Sequence, residues 1–355
     1  MGYIRFLLAT SVMLVHLNAP IIICGYGGPN SVEAFFFISG FLIASILSKT
    51  YHSRRNFYLN RFLRIFPMYW LVLAFTFIFK SIYPQIDGIS PDIDFNLSNQ
   101  FQLLVLILLN ILILGSDVLV FLRVNSDGMF DFIGFRNTNV TGTEYLLVSP
   151  IWSVSLELVF YIFAPFLIKR KTRTLSFVIV VLLFARSVIH LLGVNEDPWT
   201  YRFFPFELPI FLLGILLFRF SDSTQKRYSE IKLLDYLTRP FLIILIYAGF
   251  GVYRSQFAAP RPIELFFTLL FVSLILLFAK NSKWSNLVGS YSYPIYIVHY
   301  PTIYFLERYQ EVFSNYFGNT QIGWIWFQVI IIMSLSHLLI EITKPIEKIR
   351  DRLRF

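Results

Sequence analysis

The sequence predicts an all-α fold, a polytopic membrane bundle of about ten transmembrane helices that forms a single domain over residues 1–355. Hydrophobic residues make up 56% of the 355 residues, and only 14% are charged, against about 25% in soluble domains. The mean hydropathy is correspondingly high, at +0.65. The apolar residues come in long runs, and each bilayer crossing takes roughly 20 of them. No long polar stretch separates these runs, so no appended soluble domain is expected.

Eleven apolar segments follow one another along the chain, and each is expected to be a helix. In lipid, backbone polar groups must find partners within a helix or within a closed barrel. A barrel would show short segments of alternating polarity, whereas these runs are continuously apolar. The segments are residues 4–24, 32–48, 63–83, 101–122, 150–168, 174–193, 203–220, 240–253, 262–279, 292–306 and 322–340.

Basic residues concentrate in short loops, the pattern of cytoplasmic loops in membrane proteins. The basic loops contain Lys49, Arg54, Arg55, Arg61 and Arg64, then Lys169, Arg170, Lys171 and Arg173, then Arg219, Lys226, Arg227 and Lys232, then Lys280 and Lys283, and finally the tail from Lys344. The loop 84–100, with three aspartates, is expected outside. The net charge of +9 therefore reflects topology and does not indicate a nucleic-acid partner.

Segment 101–122 is expected not to cross the membrane. Counting crossings from the N-terminus places the basic loop at 169–173 outside, and counting from the C-terminus places it inside. Either one segment therefore fails to cross or one crossing is hidden, and the segments in question lie between 84 and 149. We favour the first alternative, with ten true crossings and 101–122 as a re-entrant or interfacial segment. Both termini are then cytoplasmic, and the protein is expected to be a multi-pass protein of the inner (cytoplasmic) membrane.

The first span carries two ionisable residues, Arg5 and His16, eleven positions apart. Eleven residues of α-helix return almost to the same face and advance roughly 16 Å. One helix stripe is thus expected to carry an arginine at the cytoplasmic mouth and a buried histidine inside the membrane. Ionisable groups inside a span are often functional. The alternative is a histidine that is only hydrogen-bonded within the bundle.

Two further stretches, in the second and third segments, have open alternatives. Ser39 and Gly40 interrupt a run of large residues, which indicates either a close helix contact through small residues or room for a thin acyl chain. Arg61 and Arg64 share a helix face because they are three positions apart. Their forked donors suit phosphate, while the alternative is cytoplasmic anchoring. Pro67 can bend this helix.

Polar residues also recur on the spans at 150–168 and 292–306. Ser153, Glu157 and Tyr161 are spaced for one helix stripe. A carboxylate in an apolar span needs a partner or stays protonated. An arginine partner would make Glu157 structural, and a histidine partner would make a base and its orienting group. His299 is either a second site residue or a helix-end contact. No metal-binding or ATP-binding motif is found.

These stretches together resemble the acyltransferase family 3 membrane O-acyltransferases over nearly the whole chain. Arg5 and His16 reproduce the R-x10-H pair of that family, and "FFFISGFLIA" is similar to its F-F-x-x-S-G-F-L segment. The remaining similar stretches are "RFLRIFPMY", through Arg61, Arg64, Pro67 and Tyr69; "WSVSLELVFYIFAP", through Trp152, Ser153, Glu157, Tyr161 and Pro165; and "GSYSYPIYIVHYP", through His299. The acidic residue that usually precedes the arginine in the family is missing here.

The resemblance implies transfer of an acyl group, commonly acetyl, from a cytoplasmic acyl-CoA to a hydroxyl of a surface polysaccharide or a lipid-linked sugar. It implies acetyl-CoA or another acyl-CoA as donor substrate, without a bound cofactor or metal. Arg61 and Arg64 would hold the phosphates of CoA, with Arg5 beside them. His16 would act as general base or transient acyl carrier, with Glu157 orienting it. Secondary candidates are Ser39, Tyr69, Trp152, Ser153, Tyr161 and His299.

Three other functions fit parts of the pattern. A transporter or flippase of a glycan precursor or small anion would also have many spans and buried polar residues, although transporters usually show repeated halves, and none is detected here. Membrane O-acyltransferases of an unrelated fold place their histidine late in the chain, which His299 would satisfy. A polysaccharide polymerase would normally have a large polar outer loop. The sequence does not indicate an oligomeric state.

Overall fold

The computed structural model of the protein describes residues 1–50, 53–83, 100–124, 129–132, 145–194, 197–228, 240–257, 260–278, 282–317 and 320–353. Thirteen α-helices and one small hairpin make up the regular structure of these residues, which confirms the all-α fold. The predicted acidic outer loop falls on residues 84–99, outside the described part, as do the predicted cytoplasmic residues Lys232 and Lys280.

The helices follow most of the predicted segments, but the first ends at His16 and not near residue 24, and the helices Lys283–Ser290 and Gln310–Phe317 were not predicted. In chain order the helices are α1 (Gly2–His16), α2 (Gly28–Lys49), α3 (Arg54–Ile82), α4 (Gln100–Leu112), α5 (Ile151–Leu167), α6 (Thr172–Leu191), α7 (Phe204–Tyr228), α8 (Pro240–Gln256), α9 (Arg261–Phe278), α10 (Lys283–Ser290), α11 (Ser292–Glu307), α12 (Gln310–Phe317) and α13 (Gln321–Arg352). Short 3₁₀ turns form at Ile21–Ile23 and Ser116–Phe121. Strands β1 (Leu122–Val124) and β2 (Phe130–Phe132) pair antiparallel.

Six of the described helices, namely α2, α3, α6, α7, α9 and α13, are long and apolar enough to cross a membrane. Helices α1, α4 and α5 are apolar but shorter. The protein is therefore a multi-pass membrane protein, while the expected total of about ten crossings stays a prediction.

The segment 101–122 does not form one continuous helix. Helix α4 has 13 residues, so it is about 20 Å long, less than the roughly 30 Å thickness of a hydrocarbon core. Ile113 and Gly115 then adopt positive φ angles of 64° and 88°, which end the helix before the 3₁₀ turn. This geometry suits a segment that enters the membrane only partly.

The basic ends of several helices meet at one end of the bundle, which we call the basic end. Lys49 at the end of α2 pairs with Asp222 of α7 at 2.7 Å. Arg219 of α7 donates to the backbone oxygens of Ile168 and Arg170 beyond α5, both at 2.7 Å. Helix α1 begins at this end, because the N–H of Gly2 donates to Ser285 of α10 at 2.8 Å. His16 therefore lies toward the opposite end.

Candidate active site

A central cavity lies between α1, α2, α3, α5 and α11 and contains about 770 Å³ of space not filled by atoms. It follows α2 from Ile43 to Val32, roughly 16 Å along the helix axis. The polar side chains that line it are Arg5, Ser39, Arg61, Arg64, Ser153, Glu157, Tyr161, Ser292, Tyr293 and Tyr296. Seven residues singled out in the sequence thus meet in one place, although they come from four helices.

The lining of the central cavity carries three arginines and one carboxylate. Arg61 is only 4% exposed, and it donates to Asn60 at 2.8 Å. Arg5 donates to the hydroxyl of Ser292 at 3.0 Å. Arg64 lines the cavity without a hydrogen bond or ion pair to any residue that the structure describes. The excess of positive charge and the unengaged guanidinium make this cavity suited to an anionic ligand.

The carboxylate of Glu157 is held by two hydroxyl groups. Ser39 of α2 and Tyr161, one turn along α5, both donate to the same oxygen of Glu157. The sequence predicted that Glu157 would orient His16, and that prediction is wrong, because His16 is bonded to His299 instead. Glu157 acts within the wall of the cavity, where it ties α2 to α5 and balances part of the arginine charge.

A second cavity adjoins the central one toward the basic end, and the space around it that is not filled by atoms, open solvent included, is about 1230 Å³. Arg5, Leu42, Arg64 and Tyr293 line both cavities, so the two arginines stand at their junction. The remaining walls come from the first residues of the chain, α10 and the last turns of α13, which include Arg350. Pro67 also lines this cavity, and because proline has no N–H, α3 lacks a backbone hydrogen bond at this point.

Two imidazoles form a pair on the far side of the central cavity. His16 Nδ1 lies 2.9 Å from His299 Nε2, and the planes of the two rings are inclined by 15° with centroids 5.0 Å apart. Tyr300 meets the His16 ring edge-on at 5.4 Å. His299 is fully buried, whereas His16 is exposed. The expectation of a buried first-helix histidine is therefore wrong for His16, and it describes His299.

Tyr296 connects the imidazole pair to the central cavity. Its side chain lines the cavity, and its hydroxyl lies 2.6 Å from the hydroxyl of Ser153. Its ring centroid is 5.9 Å from that of His299. His16 does not line the central cavity together with Arg5, as the shared helix stripe had suggested. One aromatic side chain thus separates the arginine-lined space from the imidazoles.

Comparison with known proteins identifies the family. Residues 1–339 match the family model of the acyltransferase domain of acyltransferase family 3. The chain belongs to acyltransferase family 3. It is 27% identical over 218 residues to an uncharacterized protein of Aquifex aeolicus, covering 60% of this chain and 94% of that protein. It is 25% identical over 343 residues to the O-acetyltransferase OatA of Staphylococcus aureus, covering 86% of this chain and 50% of OatA. No solved structure matches significantly.

Three of the secondary candidates lie outside the lining of the central cavity, namely His299, described above, and Tyr69 and Trp152. Tyr69 is fully buried and donates to the backbone oxygen of Asn110, which fastens α3 to the end region of α4. Trp152 packs against Tyr201 and supports the guanidinium of Arg202, 4.6 Å from its ring. Tyr69 and Trp152 therefore pack between the helices around the cavity and do not line it.

Sequence reasoning missed a buried ion-pair cluster toward the opposite end of the bundle. Glu33 of α2 is fully buried and accepts from Arg261 of α9 at 2.8 Å and from Arg186 of α6 at 3.4 Å. Glu207 of α7, also fully buried, lies 3.9 Å from Arg186. Arg186 was not among the candidate residues taken from the sequence. The sequence did contain a signal for this cluster. A single acidic residue lies near the start of each of three apolar helices, namely Glu33 in α2, Glu207 in α7 and Glu264 in α9.

We expect Glu33→Gln to lower the stability of the protein by about 2–3 kcal/mol, because two partly buried arginines would lose their shared counter-charge. Glu207→Gln is the matched control. Glu207 forms no hydrogen bond among the described residues and approaches Arg186 only at 3.9 Å, so neutralising it should cost less than neutralising Glu33. Thermal unfolding in detergent measures both variants. A larger loss in Glu207→Gln than in Glu33→Gln would contradict this assignment.

Proposed function

We propose that the protein transfers an acetyl group from acetyl-CoA to a hydroxyl of a surface polysaccharide or a lipid-linked sugar. The observation that carries this proposal is the pair of adjoining cavities with Arg5 and Arg64 at their junction. In this proposal the basic end faces the cytoplasm, both termini are cytoplasmic, and the protein resides in the bacterial inner membrane. OatA, the relative of S. aureus, is named as an O-acetyltransferase, which supports both the acetyl group and the hydroxyl acceptor.

The donor has a polyanionic head and a long thin arm, and the two cavities suit these parts in turn. The wider second cavity, at the basic end, would take the nucleotide and phosphates of CoA, with Arg64 as their main ligand and Arg5 beside it. The central cavity would take the extended arm, which runs past Arg61 toward Tyr296. The thioester would then stop beside Tyr296 and Ser153, next to the imidazole pair.

The acceptor would approach from the opposite end, where His16 is exposed. His16 takes the proton from the acceptor hydroxyl while that oxygen attacks the thioester carbonyl carbon. The hydroxyl of Tyr296, which donates to the backbone oxygen of Pro150 at 3.3 Å, would turn to donate to the developing oxyanion. When the carbon–sulfur bond breaks, the CoA sulfur leaves as a thiolate and receives the proton from the imidazolium of His16. The products are an acetyl ester of the acceptor and free CoA.

The experiment that tests this function follows the release of free CoA thiol and the mass of the acceptor with purified protein in detergent. Acetyl transfer adds one acetyl group to the acceptor for each thiol released. A transporter or flippase of a glycan precursor would leave acetyl-CoA intact. An absence of acceptor-dependent thiol release with every sugar hydroxyl acceptor tried would overturn the proposal.

Replacing Arg64 with alanine is expected to raise the KM for acetyl-CoA about 10- to 100-fold, the range of one lost charge-assisted hydrogen bond, with little change in kcat. Acetyl-pantetheine lacks the nucleotide and the diphosphate, so its KM should not respond to Arg64→Ala. The control is Arg55→Ala, which removes an exposed arginine from the same helix. Equal effects of the two substitutions, or an equal effect on both donors, would contradict the phosphate role.

A further inference from the structure

We propose that His299 is a positioning residue that fixes the tautomer of His16 and thereby leaves the Nε2 atom of His16 unprotonated for the acceptor hydroxyl. This inference rests on the proposed function, in which His16 is the general base. It assigns a specific task to a buried histidine that contacts both His16 and Tyr296, a residue of the cavity wall.

The hydrogen bonds around His299 allow only one arrangement of protons on two neutral imidazoles. His299 Nδ1 lies 3.1 Å from the backbone oxygen of Ile295, which can only accept, so Nδ1 must carry the proton. The Nε2 atom of neutral His299 is then an acceptor. His16 Nδ1, at 2.9 Å, must therefore be the donor, and its own Nε2 keeps the lone pair.

A charged His299 would reverse this pattern, because both of its nitrogens would then donate. That state would place an isolated positive charge on a fully buried side chain, which is costly without a counter-charge. In the described part of the chain, the neighbours of the ring are His16, Tyr296, Tyr300 and the oxygen of Ile295, and no carboxylate pairs with it. The surroundings of His299 thus favour the neutral form.

The arrangement also directs the reactive atom of His16. Because Nδ1 of His16 is engaged by His299, Nε2 is directed away from His299, and no described residue forms a hydrogen bond with it. A general base needs its lone pair within hydrogen-bond reach of the hydroxyl it deprotonates. Without His299, the His16 ring could rotate and exchange tautomers, so that only part of the protein would present a basic nitrogen to the acceptor.

The activity test uses two substitutions of His299 that keep side-chain bulk. His299→Leu removes the acceptor and should lower kcat about 10- to 100-fold, the usual effect of losing an orienting partner, with the KM for acetyl-CoA unchanged. His299→Gln should stay within about threefold of wild type, because its amide can donate to Ile295 and accept from His16. In the His16→Ala background, His299→Leu should cause no further loss, because it acts through His16.

Equal loss in the Leu and Gln variants, or a full additional loss in the His16→Ala background, would overturn the proposal in favour of a structural role. The melting temperatures of all variants in detergent identify any that do not fold.

Nitrogen-15 NMR of histidine-labelled protein tests the tautomer without an activity measurement. We expect Nδ1 of His16 protonated and Nε2 bare in the wild type, and mixed tautomers in His299→Leu. A protonated Nε2 on neutral His16 in the wild type would overturn the inference, whereas failure of wild-type acetyl transfer would overturn only the proposed function.

Discussion

Replacing His16 with alanine is expected to lower the turnover number for acetyl transfer by about a hundred- to ten-thousand-fold, which is the range that a general base contributes. The KM for acetyl-CoA should stay nearly constant, because His16 lies outside the arginine-lined cavities proposed to hold the donor. The fold should also persist, because His16 is exposed at the last residue of α1 and its only described polar bond is to His299.

The control for this experiment is His190→Ala, which removes another exposed histidine from the last turn of α6. Thiol release, acceptor mass and melting temperature are measured on wild type and both variants. The combination of lost turnover, constant KM and an unchanged melting temperature distinguishes a general base from a side chain that only supports the helix. Wild-type turnover in His16→Ala would refute the role of this imidazole.

The sequence indicated which residues line the central cavity, but it did not indicate which of their side chains contact each other. Arg5 and His16 were expected to face one space because their spacing places them on one helix stripe. Both side chains do face the same helix, α11, where Arg5 donates to Ser292 and His16 is bonded to His299. Only Arg5 also lines the central cavity, because His16 lies roughly 16 Å further along the helix.

Partners that are distant along the chain could not be predicted. A carboxylate in an apolar span needs a polar partner, so a partner for Glu157 was expected. No pattern in the neighbouring sequence indicated Ser39, which lies 118 positions away. The same applies to Glu33 and Arg261, which are 228 positions apart. Charge counting, in contrast, can predict that one segment between 84 and 149 fails to cross, because that inference depends on the alternation of loops and needs no contact; it stays a prediction.

The second large effect is expected at Gly40, where the sequence left two alternatives. Its α-carbon packs against the backbone of α7, and an added Cβ would lie 2.0 Å from the backbone oxygen of Phe211. Gly214 of α7 makes the reciprocal contact, because its Cβ would lie 2.1 Å from the oxygen of Phe37. Two backbones meet here through two glycines, so Gly40 serves the helix contact, and its neighbour Ser39 lines the cavity.

Gly40→Ala is therefore expected to lower the free energy of unfolding by about 1–3 kcal/mol, the usual range for overpacking. Neither backbone can move to make room for the added Cβ without separating α2 from α7. Gly249→Ala is the matched control. Gly249 lies within α8 with nothing within 4 Å of an added Cβ, so alanine there should be neutral or stabilise the helix by up to about 1 kcal/mol. Thermal unfolding in detergent compares the two variants.

The same substitution also tests whether helix packing and the cavity are coupled. A shift of α2 away from α7 moves Ser39, and Ser39 donates to Glu157 in the wall of the central cavity. Gly40→Ala should therefore raise the KM for acetyl-CoA even at temperatures where the protein remains folded, whereas Gly249→Ala should leave it unchanged. Equal melting temperatures for the two variants would mean that α2 and α7 are not packed backbone to backbone. An unchanged KM in a destabilised Gly40→Ala would mean that Ser39 and Glu157 do not shape the donor site.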